Sequence, residues 1–590
     1  LSEDPMNYAD APREAIRRVL LQDHDLAILK DPYKQFPASC DHYHIETIRM
    51  GTTVATNALL EHQGAKFAFV TTKGFADLLE IAYQNRPKIF DLEIIKAQQL
   101  YSRVIELDER VLASGVEKEL DLDQACKQLQ ELLDAGIDNL AIALIHSYAH
   151  PQHELTLKDL ALSMGFKQVS ISSEISPMIK IVPRADTTCI DAYLSPVLQQ
   201  YVNNFKNGFS DSLAKTELMF MKSDAGLTRV ESFAGYNSIL SGPAGGVVAL
   251  SSLGSASGRA NPVIGFDMGG TSTDVSRYAD EFEMSFASVI NGHRIQAPQL
   301  DIKTVAAGGG SRLFYDNGMF RVGPESAGAD PGPVSYGKGG HLAITDANLV
   351  LGRLIPEYFP KVFGENADQP LDKAAAISAF ENLRQENNLD LTVEEIAQGF
   401  VTVANEIMAR PIREISIMKG HDIKTHSLAC FGGAGGQHAC AIARDLGITK
   451  VIIHKYSGIL SAYGLALADE VVERQKPALL RGAAELRRSN PELEAEFSSL
   501  LEGIEIIKQC IIIKYLNLRY QGTDTQFMIK EPEDRDYTRA FKEQYLREFG
   551  FDLTDREILV DDVRVRLVKS SAVIRNPIVI ASDSEAIQAT

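Results

Sequence analysis

The amino-acid sequence predicts an α/β protein of several domains, and three observations carry that prediction. The chain has 590 residues, enough for several buried cores at about 150 residues per domain. Apolar, strand-like runs alternate with amphipathic helical stretches through the first 240 residues, the order that builds layered sheets with largely parallel pairing. A second series of strands begins at Val263, after the small and polar stretch GSASGRANP.

Each element has its own local reason. Asp10 stands at a helix-cap position, Pro12 falls in the first turn, Glu14 suits the positive helix end, and Ile16, Val19 and Leu20 recur at helical spacing. An extended IETIRM follows, then GTTVATNALLEHQG as a turn and amphipathic helix, the apolar strand KFAFVTT, and a helix from about Phe75. The alternation continues with helix LDQACKQLQELLDAG, buried strand NLAIALI, helix HELTLKDLALSMG and strand QVSISSE. Glycine is dense from about Ala306 to Gly340, which means close backbone approach or long loops. Towards the C-terminus the charged AAELRRSNPELEAEF reads as helix and CIIIKYLNLRYQGTDTQFMIK as a strand or hairpin. The expected segments are a first lobe over 1–240, a second lobe over 241–476 and a small domain over 477–590.

Composition narrows the function classes. Apolar residues make up 45% and charged residues 23%, with no uncharged apolar run long enough to span a membrane. The 59 basic against 79 acidic residues leave a formal charge of −20, a field that repels nucleic acid. Six cysteines are scattered without a C-x-x-C pair, so neither a zinc ribbon nor a dithiol centre is expected, and a reducing, cytosolic setting fits. No basic segment followed by an apolar one opens the sequence, so no targeting signal is expected there.

The sharpest chemical signal is PVIGFDMGGTSTDVSRY, residues 262–278. A strand ends at Asp267, Gly269 and Gly270 make a tight turn, and Thr271, Ser272 and Thr273 lead into a second strand carrying Asp274. Such a turn presents backbone N–H groups to a phosphate, while a carboxylate at the strand end can hold hydrated Mg²⁺. A Walker loop is excluded, because no Lys follows at the required spacing. The second signal is HSLACFGGAGGQHACAIARDLG, where Gly432, Gly433, Gly435 and Gly436 lie between a strand and a helix and can pass under a flat base or ribose. A dinucleotide fingerprint fails there, since its third position would be the bulky His438. Between the two, SGPAGGVVAL places Gly242, Gly245 and Gly246 at a turn opening a helix, a pattern that also serves a tight connection.

Other residues have plainer readings. His146, His150, His153 and Glu154 lack H-E-x-x-H spacing and fall where a strand gives way to a helix. Asp301, Asp330, His341 and Asp346 read chiefly as loop residues, with Asp301 also weighed as a cation ligand. Cys430 and Cys440 read as small buried fillers. Arg410, Arg413 and Lys419 read first as a helix face.

Taken together, the three glycine motifs resemble the actin, Hsp70 and sugar-kinase superfamily. The stretches GTTVATNALLEHQGAKFAFVTTKGFADLLEIAYQNRPKIFDL, FRVGPESAGADPGP and TDANLVLGRL, with GFDMGGTSTDVSRY and FGGAGGQHACAIARDLGI, are more closely similar to the hydantoinase and oxoprolinase family. The LSEDPMNYADAPREAIRRVL, RPKIFDL and VANEIMARPIREISIMKGHDIKTHSLACFGGAGGQHACAIA stretches point to its eukaryotic, ATP-dependent branch. The resemblance implies two ribonuclease H-like lobes of the actin/Hsp70/sugar-kinase type and a smaller C-terminal α+β domain. It also implies ATP-dependent opening of 5-oxo-L-proline to glutamate through phosphorylation of the lactam oxygen, with Mg²⁺ and K⁺ as expected ions.

On that resemblance Asp267 and Asp274 carry the catalytic expectation, Asp267 holding Mg²⁺ through water. Gly269 to Thr273 and the SGPAGG glycines take phosphate, and the Gly432 to Gly436 loop packs on adenosine. Gly51, Thr52, Thr53 and Asn57, with Gly308, Gly309 and Gly310, are expected near substrate or phosphates. Family members begin with a further strand and an Asp-x-Gly-Gly-Thr turn and work with a hydantoinase B-like half, so the sequence is expected to be a partial polypeptide of a homodimeric enzyme. Hydantoin hydrolysis, ketone carboxylation, phosphate transfer to a stable sugar or acid product, and nucleotide binding without turnover are the competing readings.

Overall fold

The first helix forms where its cap predicts. Over Ala11–Asp23, the Asp10 carboxylate accepts the Arg13 N–H at 2.8 Å, satisfying one of the donors a helix start leaves free. The computed structural model describes residues 10–24, 26–84, 90, 92–94, 96–211, 213, 215–256, 262–478, 491–504 and 510–570. The described residues fall into two compact units: one takes those up to Gly242, Ser285–Gln299 and those from Ala468 to Ser570, the other those of Pro243–Met284 and Leu300–Leu467.

In the first unit a four-stranded sheet runs in the order Arg103–Leu107, Ala68–Thr72, Asn139–Ala143, Gln168–Ile171, every pair parallel. Its two central strands are buried at every residue, which is why FAFVTT and NLAIALI are apolar without alternation. The strand expected as QVSISSE stops at Ile171, because the buried Glu154 carboxylate takes the Ser172 hydroxyl at 2.6 Å and the Ser173 N–H at 2.8 Å and turns the chain into a single helical turn. The helix expected from Phe75 is only Leu78–Ile81, bounded by positive φ at Gly74 and Ala82. The RPKIFDL stretch lies largely outside the described residues.

A second, seven-stranded mixed sheet completes this unit, in the order Thr47–Met50, Glu217–Met221, Leu227–Arg229, Glu470–Pro477, Ile558–Lys569, Ile511–Tyr520, Phe527–Lys530. The hairpin expected near the C-terminus is its antiparallel Leu518↔Phe527 edge. The segment expected as a small third domain keeps its own apolar cluster around Phe497, Leu518, Tyr520, Phe541 and Val563, while its strands extend this sheet. The AAELRR stretch lies outside the described residues; the helix begins at Pro491.

The second unit is built on a sheet in the order Glu281–Phe282, Thr273–Ala279, Val263–Met268, Ser427–Phe431, Val451–Ile453, with Lys303–Val305 beside Thr273–Ala279. The Val263–Met268 strand runs antiparallel to Thr273–Ala279 and parallel to Ser427–Phe431. Both strands that run into the glycine motifs therefore end side by side. Behind them, Phe266, Met268 and Leu428 pack with Phe400, Met408 and Ile412 of the helix Val393–Ile415. Thr392 and Glu395 close a capping box at the start of that helix.

Candidate nucleotide site

The hairpin over Val263–Met268 and Thr273–Ala279 sets two carboxylates face to face. Asp267 and Asp274 are directly opposed in its register, so their side chains share one face of the sheet. Burial and the facing Asp274 together push the Asp267 carboxyl up to about 6, against a hydrogen bond from the Ser461 hydroxyl at 3.5 Å. Burial raises Asp274 as well, opposed by a hydrogen bond from the Thr304 hydroxyl. Two half-buried carboxylates in this arrangement repel each other unless a proton or a cation lies near them. The donor set is oxygen only, the chemistry of a hard divalent cation such as Mg²⁺.

The turn that joins the strands is held from outside by glycines. Gly309 and Gly310 donate their N–H groups to the carbonyls of Gly269 and Gly270, at 3.0 and 2.6 Å, and Gly269 donates to Ser272 at 3.0 Å. A methyl group at Gly308 would come within 2.7 Å of the Gly270 and Thr271 backbone, so this approach requires glycine. Gly309 is fixed in turn by Thr345, whose N–H and hydroxyl both donate to its carbonyl at 2.8 Å. With the carbonyls occupied, the N–H groups of Gly270, Thr271 and Ser272 donate to no acceptor among the described residues. A turn with unpartnered backbone N–H groups beside a carboxylate pair is what a phosphate with a cation requires.

The second glycine motif crosses the same strand ends. Gly432 has a φ of +82°, and a Cβ there would lie 2.4 Å from the Met268 carbonyl and 2.5 Å from Asp267 Oδ1. Ala434 donates to the Met268 carbonyl at 3.0 Å, tying this loop to the hairpin. Gly433 and Gly436 face open space and, with Gly432, Gln437, Arg353 and Ile453, line a cleft of about 320 Å³. His438, the residue that disqualifies a dinucleotide fingerprint, is fully buried and fixes the loop from behind. Its Nδ1 lies 2.7 Å from Asn405 Oδ1 and its Nε2 2.9 Å from Asn348 Nδ2, so Nδ1 carries the proton, and burial pushes its pKa down to about 3.

Several expected site residues have other work. Thr273 turns inward, fully buried, and gives its hydroxyl to the Ala307 carbonyl at 2.6 Å, so it belongs to the strand rather than to the open turn. Gly245 and Gly246 lie inside the helix Ser241–Ala256, where a Cβ would strike the Ser461 carbonyl at 2.4 Å or the Phe431 ring at 2.7 Å; they are helix-packing glycines. Gly435 is likewise filled from inside: a Cβ there would lie 2.8 Å from Cys430 Sγ. Asp301 is no cation ligand, because Lys419 and Lys303 pair with it and hold its carboxyl low. Asp346 is buried and accepts the N–H groups of Val334, Ser335 and Ala343 at 2.9–3.1 Å, while Asp330 is exposed beside Lys338.

Cys430 is buried, as expected, but Cys440 is exposed. Arg410 pairs with Glu414 and Arg413 with Glu406 along one helix, as a helix face does. His153 pairs with Glu109 at 2.8 Å, and among the described residues no group of His, Cys, Asp or Glu gathers as metal ligands do. In the first unit, Thr52 is buried and donates its N–H to Ser241 Oγ at 3.2 Å, a Gly242 methyl would meet Thr53 Cγ2 at 2.7 Å, and Thr53 and Asn57 are exposed beside Gly51. Thr304, Ser461, Arg353 and His438 were not read as site residues from sequence. Only His438 carried a local signal, its bulk where a small residue would stand.

Comparison with known proteins now bears on this geometry. Residues 184–474 match the family description Hydantoinase/oxoprolinase, and residues 2–165 match Hydantoinase/oxoprolinase N-terminal region. The chain is 48% identical to a 5-oxoprolinase of Dictyostelium discoideum over 96% of its own length, and 48% identical to 5-oxoprolinase 1 of Arabidopsis thaliana over 98%. It spans about half of these relatives, 48% of each. The solved ATP-dependent caprolactamase of Pseudomonas jessenii superposes with a TM-score of 0.77 at 28% identity, covering 96% of this chain and 84% of that one. Two family descriptions over most of the sequence, and a fold shared with the solved ATP-dependent caprolactamase, agree with the strand-turn-strand site: the chain belongs to the hydantoinase/oxoprolinase family.

Proposed function

We propose that this chain is the nucleotide-binding half of an ATP-dependent 5-oxoprolinase. The observation that carries the reading is the near-full-length identity of 48% to two curated 5-oxoprolinases. The Asp267 to Asp274 hairpin supports it by offering a place where a triphosphate can be held. In this reading the outward N–H groups of Gly270, Thr271 and Ser272 bind phosphate oxygens, and Asp267 with Asp274 holds Mg²⁺ through water, which neutralises charge on the transferring phosphoryl group. Gly433 and Gly436 leave room for adenosine beside Arg353. We propose the segments 1–240, 241–476 and 477–590 as the functional divisions, with a hydantoinase B-like half as partner.

The chemistry follows from the lactam. An unstrained five-membered amide is resonance-stabilised, and water alone opens it slowly. Transfer of the γ-phosphoryl group to the lactam oxygen breaks the bond to ADP and makes the ring carbon electrophilic. Water adds at that carbon, the ring C–N bond breaks with proton transfer to nitrogen to give an acyl phosphate, and a second water attacks its acyl carbon, so that the C–O bond breaks, phosphate departs with the lactam oxygen, and glutamate remains. Placement of the phosphates by a rigid turn, rather than covalent help from the protein, accounts for most of the rate.

The reading is tested by 5-oxoproline-dependent release of ADP and glutamate, measured for this chain alone and for the chain joined to the other half found in its longer relatives. Coupled release by the joined protein, lost by about 100-fold or more in Asp267→Asn, is the expected result. Turnover of a hydantoin, of caprolactam, or of a ketone with bicarbonate, but not of 5-oxoproline, would overturn the substrate and keep the nucleotide site.

A further inference from the structure

A cavity of about 280 Å³ with several charged side chains in its wall lies within the first unit. Its wall includes Ser173, Lys222, Asp224, Gln296, Glu473 and Arg564. The size is close to the lower end of small-molecule pockets, about 300 Å³. The charges are held by the sheet: Glu473 and Gln475 on one strand face Arg566 and Arg564 on the next. Lys222 pairs with Asp224 at 2.8 Å, and Arg566 bridges Asp224 and Glu473. Arg564 is 3% exposed and spends its two Nη groups on Glu473 and Gln475, with its guanidinium 4.4 Å from the Phe286 ring. Asp562 lies on the same strand face, bonded to Asn517 at 2.7 Å and pushed up to about 6 by burial.

Three side chains of this one wall each keep a buried polar atom with no hydrogen-bond partner among the described residues: Arg564 Nε, Ser173 Oγ and Gln296 Oε1. Their backbones are pinned. Ser173 donates its N–H to Glu154 at 2.8 Å, and Gln296 donates its N–H to the Thr187 hydroxyl at 2.9 Å. Buried polar groups in folded proteins are almost all satisfied, and three exceptions around one cavity call for a common explanation. Two are donors, one carried by a buried cation, and the third is an acceptor. That set complements a carboxylate joined to an N–H group.

We propose that this cavity binds a small carboxylate carrying an N–H group, with 5-oxoproline as the ligand. The carboxylate lies against Arg564 and Ser173 with Lys222 near, and the ring N–H donates to Gln296. The choice of 5-oxoproline within that class rests on the function proposed above.

The test is equilibrium binding of 5-oxoproline to the 590-residue chain by titration calorimetry, with thermal unfolding followed by circular dichroism to verify that each variant folds. Gln296→Leu and Arg564→Gln are expected to raise Kd by about tenfold or more, Ser173→Ala by less, with Mg·ATP affinity unchanged. 2-Pyrrolidinone, the same ring without the carboxylate, is expected to bind about tenfold more weakly or worse. If Arg564→Gln does not fold, Gln296→Leu and Ser173→Ala decide the matter. Absence of 5-oxoproline, proline and glutamate binding, or Kd values that the variants leave within about twofold, would overturn the site. Binding of proline or glutamate that depends on Gln296 and Ser173, in a protein that never turns over 5-oxoproline, would keep the site and remove the proposed substrate. Turnover of 5-oxoproline with an unchanged KM in both milder variants would do the reverse.

Discussion

Asp267 shows how a residue proposed for function stands against stability. Its carboxyl titrates at about 6 in the folded chain rather than at the ordinary 3.8. The folded state therefore binds the extra proton between these values, and stability falls as pH rises through that window. Asp267→Asn carries no such charge. It is expected to be more stable than the wild type above pH 6, by up to about 3 kcal/mol, and to match it more closely at pH 4, measured by urea unfolding without divalent cations. Added Mg²⁺ should raise wild-type stability at pH 7 and leave the variant unchanged. The hairpin carboxylates and the turn glycines were legible in sequence, because type and spacing together announce them. Thr273 was not separated from Thr271, although Thr273 opens the strand and is buried while Thr271 stays in the exposed turn. Ser461, 194 residues from its partner Asp267, left no local trace at all.

At the scale of elements, glycine is the residue whose role sequence reads worst. The three glycines at 308–310 were expected near substrate or phosphates; their backbone braces the turn at Gly269 and Gly270. Gly308→Ala is expected to displace that turn and lower ATP turnover by about 100-fold, with less effect on unfolding, a split read by comparing kcat with the urea midpoint. Gly245 shows the opposite case. It crosses Gly464 of the helix Leu460–Leu467 so closely that a Cβ at Gly464 would lie 1.7 Å from the Gly245 carbonyl. Gly464→Ala should destabilise the protein by about 3 kcal/mol, measured by the same urea unfolding. A glycine announces close approach and never says what approaches, whether phosphate, strand or helix. The alternating strands and helices were read more faithfully, since burial on both faces leaves continuous apolar runs. Where polar side chains capture the backbone, as Glu154 does at Ser172 and Ser173, the expected strand ended early.

For the molecule as a whole, the family and the α/β class were legible because their motifs are spread along the chain. The packing of the last described strands onto a sheet begun near residue 47 was not, since long-range pairing leaves only a weak pattern in either strand. With a formal charge of −20, the proposed nucleotide would have to be drawn in by local backbone N–H groups and a cation, against the overall field. In the proposed reaction, ATP is spent on the lactam oxygen. This step is tested most directly by supplying the joined protein with 5-oxoproline labelled with ¹⁸O at the ring carbonyl and following the label by mass spectrometry. Phosphate that carries the label, one atom for each glutamate formed, is the predicted result. Unlabelled phosphate, with all the ¹⁸O kept in glutamate, would contradict it.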